Sequence, residues 1–201
     1  MKQGILFVMS GPSGTGKGTV CAELLKNKDN NLFLSISTTS RNIRAGEIDG
    51  VTYNYTTPEK FREMAESGCM LEWAVYGGNY YGTPKKSVLE RLDRGENVLL
   101  EIDVQGALKV KKAFDDAVLI FIVPPSTEEL RRRLESRGRE NEDQINERIK
   151  AAEFELDNAD KYDYIAVNDD LASCVESIRA IMKAEQFRAR RNTEFTERLK
   201  K

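Results

Sequence analysis

The chain has 201 residues, 40% of them apolar, with 31 lysines and arginines against 33 acids, a net charge of −2. That suits one compact domain with excursions and predicts no bulk attraction to nucleic acid or membrane, so an anion site must come from local arrangement of basic groups. With no histidine at all, imidazole acid–base catalysis, histidine triads and the common zinc sites are excluded.

Ile5-Leu6-Phe7-Val8-Met9 is a short continuous apolar run stopped by a glycine-rich turn, as expected of a strand buried on both faces of a parallel sheet. Helical spacing follows over residues 17–27, then an apolar strand over Leu32 to Ile36. Further buried strands are expected over Asn97 to Ile102 and Ala117 to Val123, and a weaker one over Asp163 to Val167. Helical patterns over 84–94, 104–113, 126–137, 142–158 and 170–190 separate them, and this alternation predicts a doubly wound α/β sheet. Ser126-Thr127-Glu128-Glu129 has the capping-box form, and Thr57-Pro58 places an N-cap before a proline at the first helical position.

Two segments break the rhythm. Residues 37–86 mix tyrosine, threonine and glycine in short alternating stretches and read as a small antiparallel insertion with one helix near 58–67. Residues 126–158 are dense in arginine and glutamate and lack a strand. The remainder, 1–36, 87–125 and 159–201, forms the core. Cys21, Cys69 and Cys174 are widely and irregularly spaced, as in reduced thiols, and neither a signal peptide nor a membrane-length apolar run is visible. The expected location is cytoplasmic. No stripe or patch fixes an oligomeric state.

Gly11-Pro12-Ser13-Gly14-Thr15-Gly16-Lys17-Gly18-Thr19 lies between the first strand and the first helix, the context that the G-x-x-x-x-G-K motif demands. Glycines let successive N–H groups turn inward onto phosphate oxygens, the helix N-terminus adds partial positive charge, and Lys17 adds a whole one. This predicts a P-loop NTPase core that binds a nucleoside triphosphate. The pattern places Ser or Thr directly after the lysine to ligate Mg²⁺, but this chain has Gly18 there, with Thr19 one step on. Gly-Lys-Gly-Thr is similar to the wording of nucleoside monophosphate kinases, which implies Mg²⁺ held by phosphates and water, with Thr19 or Asp103 outside its first shell.

The residues Thr39-Ser40-Arg41-x-x-Arg44-x-x-Glu47-x-x-Gly50-x-x-Tyr53-x-Tyr55 resemble the signature of the guanylate kinase family. The similarity continues through Glu72-Trp73-Ala74, Gly78-Asn79-Tyr80-Tyr81-Gly82-Thr83, Glu101-Ile102-Asp103-Val104-Gln105-Gly106 and Val167-Asn168-Asp169-Asp170, nearly the whole chain. The resemblance implies transfer of the γ-phosphoryl group of ATP to GMP, and to dGMP, with 37–86 as the GMP-binding insertion and 126–158 as a helical lid. It implies that Arg41, Arg44, Tyr53 and Tyr81 hold the GMP phosphate. Glu72 would accept from guanine N1–H and N2–H₂, Ser37 and Thr83 would donate to O6, and Asp103 would stand near the exocyclic amine and the metal's water shell. Lys17, Arg133, Arg137 and Arg148 would stabilise the transferring phosphoryl group, with Arg131, Arg132 and Arg139 solvated and Tyr55 and Tyr80 packing. Asn168 would touch adenine or form an ordinary turn. The arginines and lysines from Phe187 onward read as a solvated helix end, not a nucleic-acid contact. A catalytically silent phosphopeptide module and a sugar-phosphate kinase are the rival readings. The retained Lys17 opposes the first and the Ser37, Glu72 and Thr83 set the second.

Overall fold

The computed structural model describes residues 3–136 and 141–200. Five parallel strands form the core sheet: β1 (Leu6–Ser10), β2 (Leu32–Leu34), β7 (Asn97–Glu101), β8 (Val118–Val123) and β9 (Tyr164–Val167), in the spatial order β2-β7-β1-β8-β9. β1 is central and buried throughout, and its alternate side chains enter two different cores. Ile5, Phe7 and Met9 meet Val20, Cys21 and Leu24 of helix α1 (Lys17–Lys26) and Cys174, Ile178 and Met182 of α7 (Leu171–Gln186). Leu6 and Val8 meet Val88 and Leu92 of α3 (Lys85–Asp93) and Val104, Ala107 and Val110 of α4 (Val104–Ala113). This is why the strand reads as an unbroken apolar run: neither face sees water. The chain reverses its direction across the sheet at β1, so the strand-to-helix turn after it opens into a crevice, where open α/β sheets bind ligands.

The insertion carries its own sheet, β3 (Thr38–Thr39), β4 (Asn54–Tyr55), β5 (Met70–Tyr76) and β6 (Asn79–Pro84), ordered β4-β3-β6-β5. The β3–β6 and β6–β5 pairings are antiparallel, while the two-residue β4 joins β3 in parallel. Helix α2 (Pro58–Glu66) starts behind the Thr57 cap and covers one face through the buried Phe61, which stacks on Tyr80 at 5.2 Å. Beyond β8, α5 (Thr127–Glu135) and α6 (Glu142–Leu156) make a helical pair around Leu130, Leu134, Ile145, Ile149 and Ala152. Ser126 caps α5 at the Glu129 N–H, but the Glu129 carboxylate does not return to the cap because it is engaged by arginines. Among the described residues no helix is long and apolar enough to cross a membrane.

The tail is mostly exposed, as expected of a solvated helix end, with Arg191 an exception. α7 stops at Gln186, a short turn follows, and α8 (Thr193–Leu199) ends the described chain. Arg191 folds back into the core, its guanidinium meeting the Glu185 carboxylate at 3.3 Å and that of Asp116, with the Asp116 carbonyl at 2.9 Å. Glu185 is buried and also accepts from the Tyr164 hydroxyl at 2.7 Å. A buried carboxylate demands such partners, and that demand bends the chain back. Replacing Arg191 with Met strands Glu185 without its main counter-charge and is expected to lower unfolding stability by about 3 kcal/mol. Chemical denaturation at neutral pH measures this, and an unchanged midpoint would show the pair to be idle.

Candidate active site

Helix α1, like α3, opens without a side-chain cap and without an acid in its first turn. Thr57, Asp103, Ser126, Asn141 and Asp170 each cap a helix with a side-chain oxygen, whereas α1 begins at Gly16. Its leading N–H groups therefore face the crevice with an electropositive end. The loop is braced from within, Thr15 donating to the Pro12 carbonyl through its amide at 3.3 Å and its hydroxyl at 2.9 Å. It is braced from outside by Asn168, whose buried amide donates to the Thr15 carbonyl at 2.7 Å. Gly16 has φ +87°, and a Cβ there would lie 2.5 Å from that amide, so glycine is required on both counts. Asn168 thus supports the phosphate loop, where sequence reasoning offered an adenine contact or an ordinary turn. The Lys17 ammonium bends back onto the Gly11 and Pro12 carbonyls at 2.5 and 2.9 Å.

One cleft of about 320 Å³ runs from this loop into the insertion, lined by Gly11, Ser13, Lys17, Ser37, Tyr53, Glu72, Tyr81, Glu101, Asp103 and Glu155 among others. At its inner end Glu72, 7% exposed, takes a hydrogen bond from Thr83 Oγ1 at 2.7 Å across the β5–β6 pair. An irregularity in that pairing between Met70 and Glu72 re-aims the strand, as bulges do. Helix α4 closes over the carboxylate at Gly106, where a Cβ would stand 2.9 Å from Glu72 Oε2. Asp103 caps the same turn, its Oδ1 accepting from the Gly106 amide at 2.7 Å. Burial pushes the Glu72 carboxyl up from the usual glutamate range. The Thr83 hydrogen bond opposes this, Asp103 adds to it, and Lys109 opposes it.

Near the outer end Tyr53 and Tyr81 meet edge to face at 6.0 Å, and burial raises the Tyr53 hydroxyl above the ordinary tyrosine range. Arg41 is forked onto Glu47 at 2.7 and 3.0 Å, and that carboxylate also accepts from the Tyr55 hydroxyl at 2.7 Å and the Arg44 amide at 2.8 Å. The Arg41 hydrogen bond, seconded by Tyr55, holds the Glu47 carboxyl down at about 2. Tyr55, expected merely to pack, is therefore a hydroxyl donor, while the Tyr80 ring does pack. The Arg44 side chain is exposed and does not line the cleft. Glu47 received no role from sequence, although its place six residues after Arg41 was the available signal.

From the helical pair, Arg148 donates to Ser13 Oγ at 3.1 Å, a direct tie to the phosphate loop. Arg133 donates to Glu129 at 2.6 Å, and Arg132 shares that carboxylate, whose acid is held down at about 2 by the two arginines. Arg131 is not simply solvated, since it bridges α5 to Glu142 and Asn146 of α6 at 2.9 and 2.5 Å. Arg137 and Arg139 lie outside the described residues. Glu155 also faces the cleft, its carboxyl raised by burial. It follows Ile145, Ile149 and Ala152 on the buried stripe of α6, and an acid continuing an apolar stripe was the legible sign.

The donors present suit a divalent ion carried in with its phosphates and water. Glu101 and Asp103 bring hard oxygens to the cleft beside Lys17, and Thr19 stands exposed on the first turn of α1. Glu101 lies over this turn, and a Cβ at position 18 would make only ordinary contact with its Oε1, at 3.7 Å. Among the described residues no three ligating side chains converge on one point as a protein-built cage would require.

The guanylate kinase family model matches residues 3–185. The chain is 53% identical over 191 residues to a guanylate kinase of Caldanaerobacter subterraneus subsp. tengcongensis, covering 95% of this chain and 92% of that one. It is 49% identical over 191 residues to that of Clostridium tetani, covering 95% and 91%. The crystal structure of guanylate kinase from Anaplasma phagocytophilum superposes with a TM-score of 0.79 at 36% identity, covering 95% and 90%.

The raised Glu72 carboxyl carries a stability consequence. Its contribution is fully present below the ordinary glutamate range and is lost as pH rises through its higher folded value. Glu72→Gln keeps an acceptor for Thr83 and removes the buried charge. In thermal melts of the ligand-free protein, the variant should match the wild type near pH 4 and exceed it increasingly toward pH 8. A wild type more stable than the variant at pH 8 would contradict the burial argument.

Proposed function

The chain belongs to the guanylate kinase family and phosphorylates GMP with ATP, and we propose the residue roles by which it does so. The observation that carries them is the single cleft holding both the Lys17 loop and the buried Glu72. Phosphates of ATP lie on the loop Gly11, Pro12, Ser13, Gly14, Thr15 and Gly16 and on the opening residues of α1, Lys17, Gly18 and Thr19. There the uncapped N–H groups donate and Lys17 exchanges its two loop carbonyls for phosphate oxygens. Guanine enters the inner end, where Glu72 accepts from N1–H and N2–H₂. Adenine offers an acceptor at N1 and would leave a buried carboxylate unpaired. Ser37 and Thr83 read O6, Asp103 stands by the exocyclic amine, and dGMP fits the same scheme.

Arg41, Arg44, Tyr53 and Tyr81 hold the GMP phosphate, Glu47 orienting Arg41 and the backbone of Arg44 beforehand. Residues 37–86 and 126–158 close on the core with both substrates bound, bringing Arg133, Arg137 and Arg148 over the transferring group and excluding water. The GMP phosphate is already an oxyanion, so in-line attack needs no general base, in keeping with a chain without histidine. Mg²⁺, held by the substrate phosphates and water, would supply neutralisation of the phosphate charge, with Glu101, Asp103 and Thr19 as the protein oxygens that would support it. The soluble cytoplasm, with ATP and GMP as partners and neither nucleic acid nor membrane, is the setting proposed.

Two experiments test this. ADP release, followed with GMP, AMP, CMP, UMP and ribose 5-phosphate offered in turn, should be fast with GMP alone. Turnover with the sugar phosphate, or silence with every acceptor, would refute the guanine assignment. Gly106→Ala drives a methyl against Glu72 Oε2 and should raise the KM for GMP by roughly 10–100-fold, the worth of one or two hydrogen bonds to a charged group, with the KM for ATP little changed. Equal effects on both substrates would assign Gly106 to general stability.

A further inference from the structure

Strand β5 is the outer strand of its sheet, and an edge strand carries a row of backbone groups without sheet partners. At Trp73, the residue beside Glu72, the carbonyl accepts from Lys109 Nζ of α4 at 2.6 Å. The same ammonium stands 5.8 Å from the Trp73 ring centroid. That ring in turn meets Phe61 at 6.5 Å and Tyr80 at 6.0 Å, so Lys109 joins a core helix to the aromatic cluster of the insertion. Gly106 and Lys109 are three apart on α4 and hence neighbours on its surface. One presents bare backbone to the Glu72 carboxylate while the other grips the strand that carries it.

We propose that Lys109 is a positioning residue for guanine recognition, fastening β5 to α4 so that Glu72 is held against Gly106 at the inner end of the cleft. The proposal rests on the assignment of Glu72 to guanine. Its sequence signal is slight, because a lysine on an exposed helical face reads as ordinary solvation. The charges that bear on Glu72 support it: Asp103 from α4 disfavours the ionised carboxylate, while Thr83 from β6 and Lys109 favour it. Loss of Lys109 therefore loosens the strand and leaves Asp103 less opposed.

The test uses Lys109→Met and Lys109→Arg in the full chain, with steady-state kinetics for GMP and ATP between pH 6 and 9. Lys109→Met should raise the KM for GMP roughly tenfold, the loss of one charge-assisted hydrogen bond. Its kcat at pH 8 and its KM for ATP should stay within about twofold, a split that general loosening would not give. The acid limb of kcat/KM for GMP should move to higher pH, and Lys109→Arg should restore both values. An unchanged KM and pH profile in Lys109→Met, or a fall confined to kcat, overturns the proposal. Glu72→Gln run alongside separates the two readings. If Glu72→Gln loses GMP while Lys109→Met does not, Lys109 alone is refuted. If Glu72→Gln keeps the wild-type KM, the guanine assignment falls and the role of Lys109 falls with it.

Discussion

A protein with more acids than bases must hold two polyanions side by side, and the cations for this have to persist before substrate arrives. Four of the cations proposed to meet these anions have a local partner in place. Lys17 lies on the carbonyls of Gly11 and Pro12, Arg41 on Glu47, Arg133 on Glu129, and Arg148 on the Ser13 hydroxyl. These partners fix the direction of long side chains that would otherwise lose rotamer freedom on binding. In the proposed scheme phosphate oxygens replace these protein oxygens, so the charge needed for transfer is arranged beforehand instead of being recruited.

That arrangement depends on supports that brace the cleft. Asn168 at the end of β9 holds the Thr15 carbonyl, so the phosphate loop is shaped from the far side of the sheet. Helix α4 plays the equivalent part for the nucleobase end. Asp103 caps it, Gly106 gives it clearance over Glu72, and Lys109 ties it to the strand that bears Glu72. Both supports grow from the core sheet, whose buried strands are the least deformable part of the chain. The helical pair packs in a smaller cluster of its own and meets the phosphate loop through Arg148 and Ser13, while the insertion packs Leu71 of β5 against the core.

Much of this was legible in the letters. The buried strands, the loop motif and the cap residues are set by local rules, because periodicity, glycine placement and short polar side chains act within a few residues of chain. Hence β1, β7 and β8 fall within a residue or two of their expected bounds, and Thr57 and Ser126 start their helices. Arg191 escapes such rules for the complementary reason. It looks like any arginine in a basic run until Asp116, 75 residues earlier, and Glu185 are seen to enclose it. Arg131 likewise reads as solvated from the letters alone, since its partner helix begins eleven residues later.

The sequence by itself determined the family, the parallel core and the phosphate-loop motif, because each is a pattern of fixed spacing along the chain. Tertiary structure alone decided that Asn168 backs the loop, that Glu47 aligns Arg41, that Glu155 faces the cleft and that Lys109 reaches Trp73. These are pairings between elements, and with only two soft dihedrals per residue a small local turn decides which distant side chains meet. Spacing along a chain carries chemistry. Only packing settles which of those chemistries face one another.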